Sequence, residues 1–99
     1  MKKKSVPERL ADLGKLYQSR NKTYDNDYMK FGVVMKAIFP NGLELHTAEE
    51  FNRYAIYMMA VAKLTRYANN FKNGGHADSL DDGSVYLQML REFDDSLTL

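Results

Sequence analysis

The chain contains no cysteine, so disulfides and thiolate metal sites are excluded. Tryptophan is also missing, and proline occurs only at Pro7 and Pro40. Fourteen basic residues stand against thirteen acidic ones, a formal net charge of +1. A generic nucleic-acid binder carries a marked basic excess, so this balance argues against nucleic acid as the partner. The only basic run is Lys2-Lys3-Lys4, which reads as part of a flexible, solvated tip over residues 1–5. Those lysines are not followed by the apolar stretch a signal peptide needs. The most apolar segment, 54–64, is interrupted by Lys63 and is too short to span a bilayer. These features lead us to expect a cytoplasmic protein with no membrane partner. No segment alternates with period two for long enough to make a strand.

What the chain does have is tyrosine, methionine and phenylalanine (seven, six and five) on a helical period. Its 99 residues make one domain at most, 1–99, with a thin core if it stays monomeric. The pattern predicts a compact, all-α four-helix domain with helices at roughly 6–18, 27–39, 48–72 and 79–95. Ser5-Val6-Pro7-Glu8 is a capping box with proline in the first turn, followed by Leu10, Leu13, Leu16 and Tyr17 on one stripe. Residues 19–27 are polar and rich in Asn and Asp, which predicts a loop. Phe31, Val34, Met35 and Ile38 mark the second helix, ended by Pro40-Asn41-Gly42. Thr47-Ala48-Glu49-Glu50 caps the third helix, and Asn73-Gly74-Gly75 stops it. Asp78 is the expected N-cap of the fourth, whose apolar face carries Val85, Tyr86, Met89, Leu90 and Phe93.

The third helix is apolar on nearly every side between 51 and 71, which calls for burial all round. Three other short helices cannot surround it, so we expect a homo-oligomer, with Tyr54, Met58 or Val61 in the interface. Within that helix, Lys63 and Arg66 stand three residues apart on one face, and Asn70 continues it. Charges on so apolar a helix need partners. One reading pairs the two cations with Asp78 and Asp82 across the Gly-Gly turn. The other has Lys63, Arg66 and Asn70 face a cleft and bind phosphate, with Asp78, Asp81 and Asp82 holding Mg²⁺ or a ribose hydroxyl. A second polar cluster carries Arg20, Lys22 and Tyr24, two cations and a ring suited to a nucleotide's phosphate and base. Ser/His/Asp catalysis and Gly-rich phosphate loops have no motif here, and no catalytic residue is identified.

These positions form a set: R-x-K-x-Y at Arg20, Lys22 and Tyr24; K-x-x-R-Y at Lys63, Arg66 and Tyr67; and D-S-x-x-D at Asp78, Ser79 and Asp82, followed by Tyr86. Over roughly residues 10–93 the set resembles the small helical nucleotide-modification-associated domains common in bacteriophages. Those domains are related in architecture to MazG-type nucleotide pyrophosphohydrolases. The resemblance implies an all-helical, MazG-like fold completed by oligomerisation, a nucleotide or nucleotide-derived ligand, and a phage protein acting in the host cytoplasm. MazG-type enzymes hold Mg²⁺ with an E-x-x-E pair on one helix and an E-x-x-D pair on the next. Asp78-x-x-Asp81 imitates the second pair, but the first has no counterpart, and Lys63 and Arg66 stand in its place. The expected function is therefore binding or sequestering a nucleotide signal, with little or no turnover, in evasion of host defence. The alternatives are Mg²⁺-dependent pyrophosphohydrolysis and a plain interaction protein for a host partner.

Overall fold

A computed structural model of the chain describes residues 3–97. The described residues are helical with no strand, in the order α1 (Val6–Tyr24), α2 (Asp27–Ile38), α3 (Ala48–Asn69), a 3-10 turn (Phe71–Asn73) and α4 (Ala77–Leu97).

Helix α1 starts where its capping box places it, with the Ser5 hydroxyl accepting from the Glu8 backbone N–H at 3.3 Å. Within the tip expected over residues 1–5, Lys4 pairs with Asp12 at 2.5 Å and Ser5 caps the helix; Met1 and Lys2 lie outside the described residues. The helix does not end near residue 18. It runs through the polar segment to Tyr24, so only Asp25 and Asn26 form the turn. The segment 19–24 contains neither glycine nor proline, and Arg20 and Lys22 are good helix formers. The break comes where two residues tolerant of left-handed backbone stand together, Asp25 at φ 48° and Asn26 at φ 54°. Asn21 secures the turn: its side-chain amide donates to the Asn26 side-chain oxygen at 2.8 Å, and the Asn26 backbone N–H donates back to it at 2.7 Å.

Helix α3 opens on the full reciprocal capping box of Thr47 and Glu50. It ends at Asn69 rather than 72, because the backbone tightens into the 3-10 turn before Gly74 and Gly75 reverse the chain at φ 92° and 74°. Helix α4 then returns along α3. It starts at Ala77, so Asp78 lies in its first turn, where it favours the helix dipole rather than capping the end. Gly83 lies buried where α4 meets α3, and a Cβ added there would sit at ordinary contact distance, 3.5 Å, from the Lys63 Cβ.

Packing is centred on α3, most extensively against α4, then α2, then α1. The molecule measures 56 × 37 × 27 Å with a radius of gyration of 17.4 Å; a spherical 100-residue domain has about 13 Å. The burial expected all round α3 is correspondingly absent. Ala60 and Val61 are its buried residues, whereas Phe51, Met59 and Leu64 are exposed. Val61 is thus covered within the chain, while Tyr54 and Met58 are half-buried. Helix α1 has no buried residue at all.

Candidate functional site

The C-terminal half of α1, the start of α2 and the middle of α3 enclose a cleft of about 530 Å³. Leu13, Leu16, Phe31 and Ala62 make its apolar wall, and Tyr17, Tyr24 and Tyr28 line it with rings. Into this lining the fold brings Arg20 from α1 and Arg66 from α3, 46 positions apart in sequence. The Arg66 guanidinium lies over the Tyr24 ring, 4.4 Å from its centroid. The Arg66 Nε is buried with no hydrogen-bond partner. A buried N–H left unpaired costs about 1–3 kcal/mol, so this donor favours an acceptor brought from outside.

Asp27 also lines the cleft and is 7% exposed. Thr65 donates its hydroxyl to one carboxylate oxygen at 2.7 Å, and the Asn69 side-chain amide donates to the other at 3.3 Å. A carboxylate has about four acceptor positions, so two remain for a donor in the cleft. Sequence reasoning passed over Asp27 because an acid in the first turn of a helix is ordinary. Only the packing of α2 on α3 makes it a buried acceptor. No local pattern could have separated it from the exposed Asp25.

Asn69 and Asn70 bind the parts together. The Asn69 amide donates to the Tyr24 carbonyl at 2.6 Å, and the Asn70 amide to the Thr23 carbonyl at 2.9 Å. Both satisfy carbonyls at the end of α1 that have no intrahelical partner. Asn70 therefore acts on backbone, holding α1 to α3, and is not among the residues lining the cleft.

At the mouth, the Tyr17 and Tyr28 hydroxyls lie 3.2 Å apart, and Tyr17 also donates to Asn26 at 3.0 Å. The hydrogen bond with Tyr28, with lesser help from partial burial and the neighbouring phenol's charge, raises the Tyr17 pKa above the ordinary phenol value.

The sequence pattern placed Lys63 and Arg66 in one site, and the fold separates them. Lys63 turns to α4 and meets Asp82 at 3.1 Å, its own side chain 18% exposed and that of Asp82 54%. Arg66 turns the other way, to α1. Three residues leave the two side chains about 60° apart around α3, and the helices flanking that face take one each, α4 by Asp82 and α1 by Tyr24. Lys22 is exposed and outside the cleft lining. Asp78 and Asp81 are exposed on α4. Among the described residues, no three His, Cys, Asp or Glu side chains converge to hold a metal ion. Of the positions that carried the sequence pattern, the cleft gathers Arg20, Tyr24 and Arg66. No described helix is long and apolar enough to cross a membrane.

No family model, no curated protein and no solved structure matches this chain.

Proposed function

We propose that the cleft binds a nucleotide or nucleotide-derived signal and holds it with little or no turnover. The observation that carries this reading is Arg66, stacked on Tyr24 with a buried, unpaired Nε beside Arg20. Two guanidinium groups lining one cleft are matched to phosphate, which takes planar, bidentate donors. The tyrosine rings of the lining offer a base a surface to stack on, a contact worth roughly 1–3 kcal/mol per base. Asp27 accepts only, so it suits the hydroxyls of a ribose or the amino group of a base. Binding without turnover fits a lining that has guanidinium donors but a single carboxylate to act on water. A MazG-like architecture, a phage origin with a role in evading host defence, and assembly into a homo-oligomer belong to the same proposal.

The test is a thermal-shift panel of mononucleotides and cyclic dinucleotides, with and without Mg²⁺, on wild type and on Arg66→Ala. A ligand at a hundredfold excess over Kd stabilises by roughly 2.7 kcal/mol. We expect at least one nucleotide to raise the wild-type Tm and none to raise that of Arg66→Ala. The reading fails if no nucleotide shifts the wild type, or if the variant responds equally. Steady release of pyrophosphate by the wild type would replace binding with hydrolysis.

A further inference from the structure

The chain exposes 8045 Å² of surface. A compact monomer of its 11.4 kDa mass exposes about 5,800 Å². The excess is on the order of 2,000 Å², and every helix carries exposed apolar residues, α1 among them. On α1, Val6, Leu10 and Leu13 are 69%, 63% and 57% exposed. They lie on the same helical stripe as Tyr17, Arg20 and Tyr24, by their spacings of three and four. One continuous face of α1 therefore lines the cleft at its C-terminal end and overhangs solvent at its N-terminal end. An amphipathic helix that leaves the N-terminal half of its stripe uncovered offers half of an interface.

We propose that a second copy of this chain covers the exposed α1 stripe, and that its arrival closes the open side of the cleft. The area suits this occupant. If each of two chains buries an excess of this size, the total falls in the range of about 2,000–5,000 Å² found for obligate homodimers. Charge suits it as well. Helix α1 carries Arg9, Lys15, Arg20 and Lys22 against two acids, whereas α4 carries six acids against Arg91 alone. The basic α1 of one copy laid along the acidic α3–α4 hairpin of the other, reciprocally about a two-fold axis, satisfies both surfaces. The α4 flank offers Leu80 and Leu87, 47% and 51% exposed and seven residues apart, as the apolar counterpart. The site claim rests on the cleft being a ligand site; the dimer claim does not.

The experiment is light scattering on the wild type and on Leu10→Asp, a position outside the cleft lining, with circular dichroism as a check on helix content. We expect twice the 11.4 kDa chain mass for the wild type and the single mass for Leu10→Asp with its helices retained. A monomeric wild type at tens of micromolar, or a Leu10→Asp variant that stays dimeric, overturns the proposal. Should Leu10→Asp fail to fold, hydrogen exchange of the wild type decides. The amides of α1 must gain protection as concentration rises through the dimer transition, and equal protection at all concentrations overturns it. Nucleotide response in the thermal-shift panel separates the two readings. A dimer that binds no nucleotide sinks the ligand reading alone, and a monomer that binds one sinks the dimer alone.

Discussion

Among the individual residues, Lys63 shows how exposure of a partner sets the worth of an ion pair. Its aliphatic stem is packed near Gly83 and its ammonium reaches Asp82, a carboxylate with 54% of its side chain in solvent. Had Asp82 been buried, removing the cation would cost about 3–5 kcal/mol. With Asp82 in water the pair ranks with exposed ones, at about 0–1 kcal/mol. Lys63→Met keeps the stem and loses the charge, so urea unfolding should show a change below about 1 kcal/mol. A loss of about 3 kcal/mol or more would show that Asp82 is held out of solvent.

Glu50 carries the pH response at the start of α3. Its carboxylate accepts from the backbone N–H groups of Thr47 and His46 and from the Thr47 hydroxyl, and these bonds, the Thr47 backbone first, lower its pKa. A lowered pKa means the folded state resists protonation more than the unfolded one does. The capping box therefore contributes fully above the ordinary carboxylate range. Its contribution fades as pH falls through the lowered Glu50 pKa. Glu50→Gln should flatten the acid limb of a plot of Tm against pH, relative to wild type. An unchanged acid limb would assign it to other carboxylates.

The helices themselves depend on two reversals, each built differently. Between α1 and α2, the strain of two left-handed non-glycine residues is offset by the Asn21–Asn26 bonds. Between α3 and α4, glycine takes the left-handed positions, and Gly75 is constrained twice over. At φ 74° a side chain is strained, and a Cβ there would lie 3.1 Å from Cε2 of Tyr67. Gly75→Ala should therefore destabilise by about 1–2 kcal/mol from backbone alone, more if Tyr67 cannot yield. Gly83→Ala is the contrast, with ordinary contact at 3.5 Å and a gain in helix propensity of about 1 kcal/mol. Opposite signs in chemical denaturation are the expected result. Equal effects would mean that Tyr67 does not pack against Gly75 in the α3–α4 hairpin.

For the whole molecule, the large exposed surface makes stability a matter of concentration. If a second copy covers α1, the folded state is coupled to association, and Tm rises with protein concentration by mass action. Calorimetry over a hundredfold concentration range should show that rise for the wild type and a flat Tm for Leu10→Asp. A flat wild-type Tm would mean that the chain is stable as the open monomer.

The amino-acid sequence by itself determined the local structure. Capping boxes at Ser5 and Thr47, the glycines at 74 and 75, and the period of apolar residues specify helices because each acts through neighbours within four residues. Where it misled, at 19–24, Asn and Asp content spoke for a loop, while helix propensity and the missing glycine let α1 continue to Tyr24. Arg20 and Tyr24 were picked out in an expected loop, and Arg66 apart from them with Lys63 on the third helix, because cations and rings are visible in one dimension. Which face each would join was not. Only the tertiary structure sent Lys63 to Asp82 and Arg66 to Tyr24, and only packing of α2 on α3 buried Asp27. Burial and pairing are properties of the space between elements, set here by partners 19, 38 and 42 positions away, and no short window of sequence contains them.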